Sequence, residues 1–133
     1  MSKNVIEVDD NQLEILNKAL EMFVRVHLGQ FEYIREDFIF HKGVTAEKLH
    51  ACEDYLTQAK KVLLGFDRGA SYGISNENFS VRGRIAYDME SVFKKHLAMK
   101  KDPNPSFRSS VYDDPLHMNR EQELATIKNK DED

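Results

Sequence analysis

The chain has 133 residues, 41% apolar and 32% charged, and its 23 acidic and 19 basic side chains leave a net charge of −4. That length suits one domain and the apolar share suffices for a core; the acidic balance disfavours a general nucleic-acid binder, whose affinity rests on neutralising phosphates. One cysteine, Cys52, excludes an intramolecular disulfide and a multi-cysteine zinc site, and neither a run of ~18 apolar residues nor a charged-then-apolar leader is present, so a cytoplasmic protein without membrane contact is expected.

In chain order, Val5–Val8 reads as a short extended arm. Asp9 and Asp10 then supply oxygens that can cap a first helix, with Glu14 adding negative charge in its opening turn. Leu13, Leu16, Leu20, Phe23, Val24 and His27 or Leu28 follow the i, i+3, i+4, i+7 rule, and Gly29 is placed to close the helix in the left-handed conformation. Phe31, Ile34, Phe38, Ile39 and Phe40 predict a second, short helix with one strongly apolar side, ended by Gly43. Thr45 caps a third, with Leu49, Cys52, Leu56, Ala59 and Leu63 as its inward stripe and Gly65 as its stop. Ser80 caps a fourth, whose inward face reads Val81, Ile85, Met89, Val92, Phe93 and Leu97, and which ends at Pro103 and Pro105.

Between the third and fourth helices the periodicity vanishes. Gly65–Asn78 is rich in turn formers, and a loop of that length inside a domain is usually functional or disordered. Tyr72 and Ile74 between its glycines argue for order. Charge is also uneven: residues 80–108 hold seven basic and three acidic side chains, while both flanking stretches are acidic. A cationic helix directly after a glycine-containing loop is the strongest functional hint in the sequence.

Backbone N–H groups at the Ser80 cap, with the helix dipole, favour an anion. Arg82 and Arg84 lie in the first turns after it, and a charge-assisted hydrogen bond to phosphate contributes roughly 1.5–3 kcal/mol. Tyr72 or Phe79 can stack on a flat group, Ser71, Asn76 and Asn78 offer polar contacts, and Arg108 is placed to close such a site from its own chain or a neighbouring one. The competing reading pairs Arg82 and Arg84 with Asp88, Glu77 or the acidic tail, leaving the glycines to shape a turn. Neither the P-loop pattern nor the dinucleotide glycine pattern occurs.

Other constellations are thinner. Glu47 and His50 have the i, i+3 spacing of carboxylate-bridged metal bundles, but no second helical copy exists, so no metal or cofactor is expected. Around a helix His50 and Cys52 point about 200° apart, which keeps the imidazole from activating the thiol. No catalytic residues emerge, and the chain is read as a non-enzyme. The phenylalanine-rich stretch Phe31–Phe40 either packs inside or forms a symmetric interface, which favours a homo-oligomer. From Pro103 the chain carries Val111, Tyr112, Leu116 and Met118, then a polar, acidic end at 119–133. It reads as an arm docked on its own domain or a neighbour, or as a solvated end.

At Ala70-Ser71-Tyr72-Gly73-Ile74, Arg84-Ile85-Ala86-Tyr87-Asp88 and Tyr112-Asp113-Asp114-Pro115-Leu116, the chain resembles uncharacterised small accessory proteins of tailed bacteriophages. Asn11-Gln12-Leu13 and Leu28-Gly29-Gln30-Phe31 add to the likeness. The resemblance implies a compact protein acting in the host-cell cytoplasm by binding rather than by catalysis, and it carries no functional residues. The expectation is therefore a mainly α-helical domain over 1–118, with about four helices, a long structured loop and an arm-like tail. Its expected function is counter-defence, by sequestering a small phosphorylated host nucleotide signal. The alternative is an inhibitor or adaptor acting on a host protein.

Overall fold

The computed structural model describes residues 2–131. The protein is mainly helical, with helices α1 (Asp10–His27), α2 (Ala46–Leu64) and α3 (Val81–Lys101). Two 3-10 helices span Phe31–Phe38 and Ser110–Tyr112, and no strand occurs among the described residues. The chain divides into two compact units, Met1–Glu21 with Ile85–Asp133, and Met22–Arg84.

The caps lie where the sequence puts them. Asp9 Oδ1 accepts from Gln12 N–H at 2.8 Å and Gln12 Oε1 accepts from Asp9 N–H at 2.9 Å, a reciprocal box that satisfies two end amides of α1. Gly29, at φ +90°, closes α1. Its N–H reaches Val26 O and Gln30 N–H reaches Arg25 O, the paired bonds of a Schellman ending. Thr45 Oγ1 accepts from Lys48 N–H to start α2, and Ser80 Oγ accepts from Gly83 N–H to start α3.

In the unit Met22–Arg84 the segment after α1 is a 3-10 helix of eight residues, long for that geometry. A three-residue repeat eclipses side chains at i and i+3, so Glu32 and Arg35 lie in register. Both meet α2: Glu32 bonds Thr57 and Lys60, and Arg35 lies 3.7 Å from Glu53. Glu53, Thr57 and Lys60 are themselves spaced i, i+4, i+7. A polar seam therefore joins the two helices where the apolar spacing predicts a greasy one.

That seam corrects the inward face expected for α2. Leu49, Cys52 and Leu56 are half-buried, but Ala59 and Leu63 face solvent, and Lys60 is only 1% exposed. Lys60 is tolerated because its Nζ lies 2.9 Å from Glu32 Oε1 and donates to Ala70 O at 2.9 Å. Phe79 fills the same unit at 1% exposure. A Cβ on Gly83 would lie 2.3 Å from its Cε1, so only glycine lets the ring approach the first turn of α3 so closely.

In the unit Met1–Glu21 with Ile85–Asp133, Lys100 of α3 pairs with Asp10 of α1 at 2.6 Å. The tail then runs back along α3. Tyr112 OH donates to Asp102 O, Asp114 pairs with Lys95 at 2.9 Å, and buried Asp88 accepts the N–H groups of Met118 and Asn119 at 2.7 and 3.0 Å. Lys130 reaches Glu7 and Lys3 reaches Glu123. The arm thus docks on its own chain. The inward face of α3 also departs from expectation. Val81 is exposed, Ile85, Met89, Val92, Phe93 and Leu97 are half-buried, and the buried positions of the helix are Gly83, Ala86, Asp88 and Glu90. Asp88 is inside because two backbone amides satisfy its carboxylate.

Candidate functional site

The loop from Gly65 to Ser80 is built from backbone turns anchored to its own unit. Gly65, at φ +73°, ends α2 by donating to Lys61 O. Gly69, at φ +79°, occupies the turn closed by Ala70 N–H to Asp67 O. Tyr72 N–H donates to Leu28 O at 2.7 Å, and Lys60 holds Ala70 O from beneath. Asn76 accepts Asn78 N–H on its side-chain oxygen at 2.8 Å, while its carbonyl accepts Arg84 Nη2 at 2.7 Å and Phe79 N–H at 3.0 Å. His27 Nδ1 lies 2.8 Å from Ser80 Oγ, tying the end of α1 to the cap of α3. Order here comes from these hydrogen bonds rather than from periodicity.

The expected ligand contacts fall into three groups. Ser71, Asn78 and Arg82 are exposed on the loop and the first turn of α3. Arg82 makes no ion pair among the described residues, and the N–H groups of Val81 and Arg82 have no acceptor there, since Ser80 takes those of Gly83 and Arg84. Tyr72, Asn76 and Arg84 are partly committed to the fold. The Tyr72 ring meets Phe66 edge-on at 4.8 Å, Asn76 shapes the turn, and half-buried Arg84 clamps it.

Phe79 and Arg108 form the third group. Phe79 is a correction: its ring is sealed under Gly83 and offers no face for stacking. Arg108 belongs to the other compact unit, where it donates to Tyr112 O and lies 3.5 Å from Asp113.

The positive charge of residues 80–108 is largely answered within the chain. Lys94 pairs with Glu90 at 2.6 Å, Lys95 with Asp114 and Lys100 with Asp10. The Lys95 ammonium holds the Asp114 carboxyl below its ordinary value. Asp88, the other partner considered for the arginines, serves the tail instead. Among the described residues Arg82 and Arg84 at the start of α3 and Lys101 at its end make no ion pair.

Sequence reasoning missed Lys60, Glu32 and Asp88. Burial pushes the Glu32 carboxyl up, but the Lys60 ammonium, backbone and Thr57 hydroxyl bonded to it outweigh burial and hold it below the ordinary glutamate value. One signal was present: Lys60 continues the 49, 53, 56, 60, 64 series along α2, an apolar stripe interrupted by charges. Neighbouring charges add to the seam, with Glu53 flanked by Arg35 and by Arg68, the latter at 3.0 Å and also bonded to Asp54.

Among the described residues no group of three His, Cys, Asp or Glu side chains could hold a metal ion, and no helix is long and apolar enough to cross a membrane. His50 is exposed and lies 3.8 Å from Asp54, while Cys52 is half-buried. Apolar side chains are nevertheless conspicuous on the surface. Phe40 is 99% exposed beside partly exposed Phe38, and Tyr55, Val62 and Leu63 stand out from α2. No protein-family model, curated protein or solved structure matches this chain.

Proposed function

We propose that this chain is a non-catalytic binding protein, and that the loop 65–80 with the first turn of α3 takes a small phosphorylated ligand. One observation carries the reading: the loop is fixed from beneath by Lys60, Leu28 and Arg84, while Arg82, Ser71 and Asn78 are exposed and the N–H groups of Val81 and Arg82 have no acceptor among the described residues. A preorganised loop loses little conformational freedom on binding, which is how a shallow surface gains affinity. In this reading Arg82 grips phosphate, Arg84 positions the loop, and the exposed edge of Tyr72 is the remaining aromatic contact. The resemblance to small phage proteins supplies the setting, sequestration of a host nucleotide signal as counter-defence.

The test is calorimetry and thermal unfolding of the whole chain against cyclic di- and trinucleotides, cyclic ADP-ribose isomers, NAD and ADP-ribose. Binding by one of them, with the ligand recovered intact and affinity lowered about tenfold or more by Arg82→Ala, supports sequestration. No binding across the panel, or equal binding by the variant, overturns it. A second reading, engagement of a host protein, rests on the Phe38–Phe40 corner. Loss of one stoichiometric captured protein on Phe40→Ser is its expected signature.

A further inference from the structure

Three consecutive residues at the end of α1 hold the loop 65–80 at separate places. His27 Nδ1 lies 2.8 Å from Ser80 Oγ at the start of α3, and Leu28 O accepts the Tyr72 N–H at 2.7 Å. Gly29 acts through a ring. A Cβ at this position would press on Phe66 Cδ2 at 3.1 Å, Phe66 Cε2 at 3.2 Å and Leu64 Cδ1 at 3.2 Å, so the bare glycine is the seat on which Phe66 packs. Phe66 in turn meets the Tyr72 ring with 4.8 Å between centroids and 72° between planes. Tyr72 is thus fixed twice, by its backbone on Leu28 and by its ring on Phe66. A nearly perpendicular neighbour covers only one side of a ring, and Tyr72 stays half-exposed.

The same end of α1 sets the span between that ring and the start of α3. Consecutive Cα atoms are about 3.8 Å apart, so the anchors at His27 and Leu28 are close together. Between Tyr72 and Ser80 the chain makes two successive turns, closed by Asn76 N–H to Gly73 O and by Phe79 N–H to Asn76 O, both at 3.0 Å. Each such turn brings its ends within about 7 Å. One helix end therefore holds an aromatic ring and the opening turn of α3, which carries Arg82, a short and fixed distance apart.

We propose that Tyr72 contacts the base of a nucleotide and that Phe66 and Gly29 are its positioning residues, so that the ligand class is a base-bearing nucleotide rather than a sugar phosphate or bare phosphate. This rests on the reading of the loop and the start of α3 as a phosphate site. A phosphate alone gains nothing from a braced ring. A base gains aromatic contact, stacked or edge-to-face, whatever its identity. Bracing the ring beforehand removes part of the ordering cost that a loose tyrosine incurs on binding.

The experiment is NMR titration of the whole chain with AMP, GMP and ribose 5-phosphate, a sugar phosphate without a base. The wild type should bind a nucleotide about tenfold more tightly than ribose 5-phosphate. Tyr72→Ala and Phe66→Leu should remove that preference, with ribose 5-phosphate affinity and helical circular dichroism unchanged. Tyr72→Phe and Phe66→Tyr keep the rings and should retain it. Arg82→Ala should weaken all three ligands alike. Where Phe66→Leu does not fold, Phe66→Met takes its place. A merely structural role for Phe66 lowers the melting temperature and leaves the preference intact. Equal affinity for all three ligands, a Phe66 variant that keeps the full preference, or one that weakens all three alike overturns this proposal and leaves the phosphate site standing. Binding of none of the three overturns both.

Discussion

Two of the buried charges, Lys60 in one compact unit and Asp88 in the other, are stabilised in different ways. Lys60 is met by an opposite charge: Glu32 faces it with both oxygens, Thr57 steadies that carboxylate, and Ala70 O takes another ammonium proton. Asp88 makes no ion pair among the described residues, and its two oxygens are each satisfied by one backbone N–H of the tail. The first arrangement is a mutual dependence of side chains, and removing either leaves the other stranded in a dry place. The second is one-sided: Asp88 holds a segment that has nothing to strand but its own amides. Burial of charge therefore fixes a loop in one unit and a tail in the other, by different physics.

The largest effect expected from breaking this contrast comes at Lys60. Lys60→Met should destabilise the chain by about 3–5 kcal/mol, because it leaves Glu32 uncompensated. Lys60→Met with Glu32→Leu should recover most of that loss, since both charges are then gone. Urea denaturation midpoints of the two variants decide between a mutual pair and a lone lysine held by Ala70. At Asp88 a smaller and local loss is expected. Asp88→Ala should cost about 2–3 kcal/mol for the charge-assisted bonds removed. It should also release hydrogen-exchange protection at Met118 and Asn119, with the loop 65–80 unaffected.

Gly83→Ala comes next. Alanine is the better helix former by about 1 kcal/mol, yet the new Cβ meets the buried Phe79 ring at 2.3 Å. Overpacking of this kind costs typically about 1–3 kcal/mol. The expected outcome is a lowered melting temperature where propensity alone gives a raised one. Gly83→Ala with Phe79→Leu should restore the difference.

The smallest expected effect is one of pH. Glu32 is held below the ordinary glutamate value of 4.5. Its contribution is therefore full above that value and is lost as pH falls through the lower folded-state value. The unfolding midpoint should decline on acidification below about pH 4.5, and Glu32→Gln should flatten that part of the profile. Asp114 has the same sign, but it is fully solvated and screened, so Asp114→Asn should leave the profile nearly unchanged.

Most of the helical frame was legible from residue order. Asp9, Thr45 and Ser80 start helices, Gly29 and Gly65 end them, and each does so through bonds within a few residues of itself. Local chemistry of that kind needs no knowledge of the rest of the chain. The candidate site was legible only in part. Arg82, Ser71 and Asn78 are exposed as a binding surface requires, whereas Phe79, equally aromatic in the sequence, is a core residue. Nothing in residue order separates a stacking ring from a packing one; the missing Cβ of Gly83 four residues later does.

What the sequence by itself determined is therefore the helical class, the caps and stops, and the extent of the ordered loop. Tertiary structure alone decided which face of α2 turns inward, because the choice between Leu63 and Lys60 depends on a carboxylate 28 residues away in the chain. It also decided that the cationic stretch of α3 is answered by Asp10 and Asp114, acids 90 and 19 residues distant from their partners. Hydrophobic spacing records where apolar groups repeat. It carries no record of which polar groups will meet across the fold, and in this molecule those meetings place the loop and the tail.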